Sequence, residues 1–158
     1  MASIKGWHVK NVNQFRGRDW MGVECDIYLD GKKVGFYFDE GNGGEVNLEL
    51  INQEIEARAN EDAKTYFSEH PMIGLCADLP PTVDLFIAEV IALEDLEKEH
   101  KKMSKMNFPY MLVYKESEDD FDDQVKGFNL KAARQRFIDK NTIYAVRCYD
   151  KPEDFIIK

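Results

Sequence analysis

The stretch MGVECDIYLDGKKVGFYFD, residues 21–39, decides the fold class of this chain. Each half alternates apolar and polar side chains, which is the period of a half-buried β-strand. The halves are separated by Asp30-Gly31, a dipeptide that favours a type I′ turn because both central residues need positive φ. The stretch therefore predicts an antiparallel β-hairpin. The side chains expected on its inner face are Val23, Cys25, Ile27 and Leu29 in the first half, and Val34, Phe36 and Phe38 in the second.

Further strands are predicted on both sides of this hairpin. Residues 4–12 predict a first strand, and the polar segment NQFRGRD, residues 13–19, predicts the loop that follows it. Val46, Leu48 and Leu50 alternate once more with polar residues. Residues 1–50 therefore predict an antiparallel meander.

Two helices are predicted in residues 52–106. Apolar side chains recur every fourth residue from Ile55 to Phe67, and the first helix is expected to end before Pro71 because proline disfavours helix in the residue preceding it. Thr82 is expected to cap a longer helix that reaches about Met106.

Residues 109–150 predict a strand, a helix and a strand. The helix is expected over residues 130–140, capped by Asn129, with Leu130, Ala133 and Phe137 facing inward. A unit of this length permits a right-handed parallel crossover. The whole chain thus predicts a single α+β domain, with one mostly antiparallel sheet packed against about three helices.

Composition narrows the class of function. The 158 residues suffice for one domain with a sizeable core, and the formal net charge of -9 opposes direct binding of nucleic acid or anionic membranes. Such a charge favours a basic partner instead. The longest apolar run, residues 85–93, is interrupted by Glu89 and is too short to span a bilayer. With Cys25, Cys76 and Cys148 expected as reduced thiols, the sequence predicts a cytoplasmic protein.

The glycine-rich segment DEGNGGE, residues 39–45, resembles a ligand-binding loop only superficially. A phosphate cradle is disfavoured because Asp39, Glu40 and Glu45 flank the glycines, and the spacing does not match a calcium-binding loop. The pattern favours a structural turn. A partner-contact loop and a cation site remain as alternatives.

The acidic run ESEDDFDD, residues 116–123, is the strongest compositional feature. It fits either a solvated loop or a negatively charged docking surface with an apolar anchor. Together with the three carboxylates of residues 39–45, the residues proposed to meet a partner are Glu118, Asp119, Asp120, Phe121, Asp122 and Asp123.

Other chemistry is sparse in the sequence. Arg134, Arg136 and Arg147 are candidate anion-binding residues, although those on the third helix also suit neutralisation of the acidic loop. The histidines share no metal-ligand spacing, and no catalytic, metal or cofactor motif is recognised. Four aromatic side chains are assigned to core packing rather than to a base-stacking platform: Trp7, Trp20, Phe36 and Phe38.

The segments GWHVKNVNQF, residues 6–15, and GVECDIYLDGKKVGFYFDEGNGGEV, residues 22–46, resemble the start of small uncharacterised proteins of bacteriophages and mobile elements of Gram-positive bacteria. The resemblance implies no known activity and no catalytic residues. It implies a context, because accessory phage proteins of this size often inhibit host defence, and acidic ones often block nucleic-acid-binding sites.

The sequence therefore predicts a non-enzymatic acidic binding protein. The resemblance implies that it inhibits a basic host protein of defence or nucleic-acid handling in the host cytoplasm. No cofactor is expected. Three alternatives remain open: a protein that binds a nucleotide signal, a small enzyme, and an assembly protein that associates through the helix of residues 82–106.

Overall fold

A mostly antiparallel six-stranded sheet and an antiparallel three-stranded sheet pack against a helical layer in the computed structural model, which describes residues 1–74 and 77–158. The strands are β1 (Ser3–Ile4), β2 (Trp7–Arg16), β3 (Met21–Leu29), β4 (Lys32–Asp39), β5 (Asn47–Leu50), β6 (Tyr110–Lys115), β7 (Gln124–Phe128), β8 (Tyr144–Tyr149) and β9 (Ile156–Ile157). The helices are α1 (Gln53–Glu69), α2 (Val83–Lys105) and α3 (Lys131–Lys140), and a short 3-10 helix spans Pro152–Phe155. The predicted α+β class and single domain are confirmed, whereas the strands form two sheets and not the one sheet predicted.

The hairpin of residues 21–39 is confirmed. Strands β3 and β4 pair antiparallel, and both turn residues have positive φ, 49° at Asp30 and 83° at Gly31. On β3 the predicted inner face is also correct, since Cys25 and Ile27 are fully buried. The hairpin forms the centre of a six-stranded sheet in the order β5-β4-β3-β2-β1-β9.

The predicted inner face of β4 is wrong beyond Val34. Ile27 pairs with Gly35 while Tyr28 pairs with Lys33, so Val34 is an extra residue at a β-bulge. The bulge reverses the alternation that follows it. Tyr37 is therefore buried in the core, and Phe36 and Phe38 are half-buried on the outer face. Of the four aromatic residues predicted to pack in the core, only Trp7 is fully buried, since Trp20 is 55% exposed.

The first strand is longer than predicted and divided near its start. Lys5 and Gly6, with φ of 52° and 86°, form a turn between β1 and β2. The segment NQFR, predicted as loop, belongs to β2, and Asn11 with φ of 54° lies where the register with β3 shifts. A bulge hides a strand from periodicity because it breaks the alternation on which that prediction depends.

Helices α1 and α2 confirm the prediction for residues 52–106. The side chain of Asn52 accepts a hydrogen bond from the Ile55 amide at 2.9 Å, and Thr82 caps α2 through Leu85. Helix α2 packs against β1 and β2 on one side and against β6 on the other. Its buried side chains include Phe86, Ile87, Val90, Ile91 and Leu93.

The parallel crossover that the length of residues 109–150 permits does not occur. Strands β6 and β8 pair directly and antiparallel, and with β7 they form a separate sheet in the order β7-β6-β8. The sequence did not predict β7, which emerges from the acidic run with only Val125 and Phe128 as large apolar side chains. Pairing with β6 stabilises β7, and a contact between distant residues leaves no pattern in the sequence of the strand itself.

Helix α3 covers the outer face of this second sheet through Phe137, whose ring lies 5.5 Å from Tyr114 and 5.6 Å from Phe128. The predicted cap by Asn129 is wrong, because the capping position is Leu130 and no side chain caps the helix. Leu130 is also 57% exposed rather than inward, since the buried position on α3 belongs to Arg134.

Two of the three cysteines are described by the structure. Cys25 is buried, and burial raises the pKa of its thiol to about 12, while Cys148 is exposed. Cys76, also expected as a reduced thiol, lies outside the described residues. In residues 1–74 and 77–158, no helix is long and apolar enough to cross a membrane.

A buried polar contact joins the first sheet to α1. The indole Nε1 of Trp7, which is fully buried, donates to Asp62 Oδ2 at 2.8 Å, and Arg58 Nε lies 2.6 Å from the same oxygen. Trp7 also packs edge-on against Phe86 of α2, with ring centroids 6.2 Å apart. One side chain thus fixes the first sheet to both central helices.

We expect Trp7→Phe to lower the free energy of unfolding by about 2 kcal/mol, because loss of one partner from a buried hydrogen bond costs roughly 1–3 kcal/mol. The matched control is Trp20→Phe, which changes an exposed indole and should stay within about 0.5 kcal/mol of the wild type. Urea denaturation of both variants measures the difference. Equal effects would show that the Trp7–Asp62 bond does not stabilise the fold.

Candidate functional site

A cleft of about 480 Å³ lies between the helical layer and the second sheet. Its floor is formed by α2 through Leu85, Glu89, Ala92 and Leu96, which share one face because they follow helical spacing. The remaining walls come from the end of α1, the segment between α1 and α2, the strand β8, and the acidic loop of residues 116–123. The cleft is the size of a ligand or peptide pocket and is mostly apolar.

Glu89 is the polar group in the floor of the cleft. Tyr66 of α1 donates from its hydroxyl to Glu89 Oε2 at 3.3 Å, and the ring of Tyr66 stacks on His70 with centroids 4.6 Å apart. Burial raises the pKa of the Glu89 carboxyl, and the nearby carboxylate of Asp123 adds to this, while Arg147, Tyr66 and His70 oppose it. A carboxyl group in a cleft whose pKa is raised by burial is typical of functional sites.

Asp123 anchors the acidic loop to the second sheet. One of its oxygens lies 3.2 Å from Lys115 Nζ at the end of β6, and the other accepts a short hydrogen bond from Arg147 of β8. Both cations of the cleft wall are therefore already paired with a single carboxylate. A phosphate entering the cleft would have to displace Asp123 from both of them.

The rest of the acidic loop is held by hydrogen bonds between side chains and its backbone. The Ser117 amide donates to Asp120 Oδ2 at 2.9 Å, and Lys115 Nζ donates to the carbonyl of Phe121 at 3.1 Å. The ring of Phe121 nevertheless remains 70% exposed at the rim of the cleft. The loop thus presents a large apolar side chain to solvent on a backbone that is tied down.

The segment between the helices approaches the acidic loop at Gly74. This residue has φ of 65°, and a Cβ atom there would lie 2.1 Å from the carbonyl oxygen of Glu118. Only glycine fits such a contact without movement of the backbone. Two walls of the cleft therefore meet at this point.

Charge in the cleft is negative. The lining contains four carboxylates and two cations, and Asp123 pairs with both cations: the carboxylates are Glu89, Asp119, Asp120 and Asp123, and the cations are Lys115 and Arg147. Apolar side chains of Met72, Ile73 and Leu79 complete the wall opposite the second sheet. The cleft is therefore suited to a group that combines a cation with apolar surface.

The three arginines proposed for anion binding do not come together. Arg147 lines the cleft, while Arg134 is buried on α3, where it donates to the carbonyl of Met111 at 3.1 Å and to Asp150 at 2.5 Å. Arg136 is exposed on α3. Arg134 is thus occupied by contacts that hold α3 to the second sheet.

The three carboxylates of residues 39–45 lie on a turn outside the cleft. Gly41 and Gly43 have φ of 68° and 77°, and Asp39 Oδ1 accepts from the Gly41 amide at 2.8 Å. The turn is bonded to the loop between β2 and β3, since the Asp19 amide donates to the carbonyl of Gly41 at 2.9 Å. Glu40 bonds with Asn42, and Glu45 is exposed.

Sequence reasoning missed Tyr66, His70, Glu89 and Lys115 as members of the site. Tyr66 and His70 are brought to the cleft by the end of α1, and Lys115 by the end of β6, which only the tertiary structure makes evident. Glu89 did carry a signal, because it is a carboxylate within the longest apolar run. Within the described residues, no group of three or more His, Cys, Asp and Glu side chains is placed to hold a metal ion.

We expect Glu89→Gln to stabilise the protein increasingly as pH rises above the usual carboxyl value of about 4.5. Because the folded-state pKa is raised, the folded protein binds more protons than the unfolded chain in this window, and wild-type stability falls as pH increases. The amide does not titrate and removes this dependence. Thermal unfolding of both proteins between acidic and neutral pH measures it.

The control is Glu61→Gln, which changes an exposed glutamate in the middle of α1. Its stability difference from the wild type should show no comparable trend. If both variants follow the same pH curve, burial of Glu89 does not influence stability.

Comparison of this chain with known protein families, with curated proteins and with solved structures finds no match.

Proposed function

We propose that this chain is a non-enzymatic binding protein that docks a segment of a basic partner protein at the cleft and its acidic rim. The observation that carries the proposal is the exposed Phe121, surrounded by carboxylates at the mouth of an apolar cleft. Exposed aromatic side chains beside a pocket are typical anchors of protein interfaces. The acidic rim supplies the attraction, and the cleft supplies the apolar surface.

The rim offers carboxylates for a partner to bind. The side chains of Glu118, Asp119 and Asp122 are exposed and take no part in the hydrogen bonds that hold the loop. Such groups attract lysine and arginine and accelerate association, while each exposed pair adds only about 0.2–1 kcal/mol. Affinity must therefore come from several charges together with apolar contact in the cleft.

The resemblance of residues 6–46 supplies the biological part of the proposal. An acidic accessory protein of a phage would inhibit a host protein of defence or nucleic-acid handling by covering its basic groove. The overall charge of -9 supports such a partner, since the groove of a nucleic-acid-binding protein is rich in lysine and arginine. In that role the chain acts in the cytoplasm of the host cell.

The charge of the cleft disfavours the alternative of a nucleotide signal. Lys115 and Arg147 are each paired with Asp123, and the remaining charged groups of the lining repel phosphate. A nucleotide would gain from stacking on Tyr66 or Phe121, but stacking alone contributes about 1–3 kcal/mol per base.

The proposal predicts binding of a short acetylated and amidated peptide that alternates valine with lysine. We expect Glu118→Gln/Asp119→Asn/Asp122→Asn to weaken this binding about tenfold, or about 1.4 kcal/mol, because three exposed ion pairs are lost. Raising the salt concentration should weaken wild-type binding in the same direction. Isothermal titration at low and physiological salt measures both effects.

A matched control removes the same number of charges outside the cleft. The variant Asp39→Asn/Glu40→Gln/Glu45→Gln keeps the acceptor oxygens that the turn uses, and should change affinity by no more than about twofold because screening weakens distant charges. A peptide with glutamate in place of lysine should not bind. If it binds as well as the basic peptide, or if the rim variant has no effect, the proposed docking is wrong.

A second prediction concerns Asp123. We expect Asp123→Asn to release Lys115 and Arg147, so that inorganic pyrophosphate raises the melting temperature of the variant but not of the wild type. The same variant should bind the basic peptide more weakly. Stabilisation of the wild type by pyrophosphate would contradict the charge argument and favour the nucleotide alternative.

A further inference from the structure

Strand β8 forms one edge of the second sheet. In the described part of the chain it pairs only with β6, so its other side has no strand partner. An edge of this kind presents backbone amide and carbonyl groups that another strand is able to pair with. Proteins use such edges to bind extended peptides.

The cleft follows this edge. Its lining includes Ala145, Val146 and Arg147, which are consecutive residues of β8. The cleft therefore adjoins three successive residues of a strand that lies at the edge of its sheet. The other edge strand of this sheet, β7, contributes no residue to the lining.

The pairing of β8 with β6 contains a β-bulge at Ala145 and Val146. Val113 pairs with Arg147 while Lys115 pairs with Tyr144, so Ala145 and Val146 together oppose the single residue Tyr114. Ala145 has φ of 50°, which is uncommon for a residue other than glycine. A bulge leaves its extra residue outside the ladder, and bulges of this kind are frequent next to binding sites.

From this arrangement we infer that the partner docks as an extended segment that adds a strand to the free edge of β8. The inference rests on the proposed function and specifies how the partner is held. Apolar side chains on one face of the added strand would lie against Leu85 and Leu96 of α2. Lysine or arginine side chains of the same segment would meet Asp119 and Asp120 of the rim.

The charge of the cleft is what selects this occupant among extended segments. A neutral or acidic strand would bring no cation to the four carboxylates of the lining, whereas a segment that alternates apolar and basic residues places one kind of side chain on each face. The backbone bonds give affinity without regard to sequence, and the side-chain positions give specificity.

The test uses the valine–lysine peptide and two derivatives of it, each N-methylated on one alternate set of amides. In a paired strand, only every second residue directs its amide toward the neighbouring strand. We therefore expect one derivative to bind the full-length protein at least about tenfold more weakly, a loss of about 1.4 kcal/mol, and the other to keep its affinity within about twofold. Backbone amide exchange of residues 145–148, followed by NMR with and without the unmodified peptide, should slow on binding.

The outcomes separate this inference from the proposed function. Equal affinity of both N-methylated peptides, together with weaker binding by the rim variant, would overturn strand addition and leave charge-based docking in place. Binding that responds to N-methylation but not to the charge of the peptide would support strand addition and contradict the basic partner. Absence of binding by the unmodified peptide at millimolar concentration would overturn both.

Discussion

Burial of one helix between two sheets is the constraint on which the rest of this structure depends. Helix α2 contacts β1 and β2 on one side and β6 on the other, so apolar side chains are needed on more than one face of the helix. A helix with a single apolar stripe would hold only one of the sheets. The second sheet is covered by helices, since α2 contacts β6 and α3 contacts β6 and β7, and such packing stabilises a small sheet.

The site arises from the same arrangement. The cleft is lined by helix α2 and by residues of the second sheet, with Glu89 in its floor. Asp123 holds the acidic loop over this cleft by pairing with cations from both β6 and β8. The loop therefore contributes a fixed rim, although its composition alone would suit a disordered segment. Attachment by one carboxylate turns a charge run into a surface with a defined position.

Sequence patterns predicted the elements whose signals are local. Asp30-Gly31 determined the hairpin through the φ angles of its turn, and Thr82 marked the start of α2 through its hydroxyl. The predictions were wrong where pairing between distant strands determines the structure. The bulge at Val34 reversed a face that alternation had predicted, and β7 exists because β6 pairs with it. Convergence of Glu89 with Tyr66 and Arg147 was equally inaccessible, since they lie on three elements whose packing no periodicity describes.

The edge of β8 that has no strand partner among the described residues affects how copies of this chain behave toward one another. An open edge invites pairing with an identical edge, which is a common route to aggregation. Here two copies approaching edge to edge would bring two carboxylate-lined clefts and two acidic loops together, and the overall charge of -9 adds to the repulsion. The carboxylates thus oppose self-association and also attract basic surfaces. Because salt screens charges, that repulsion weakens as ionic strength rises.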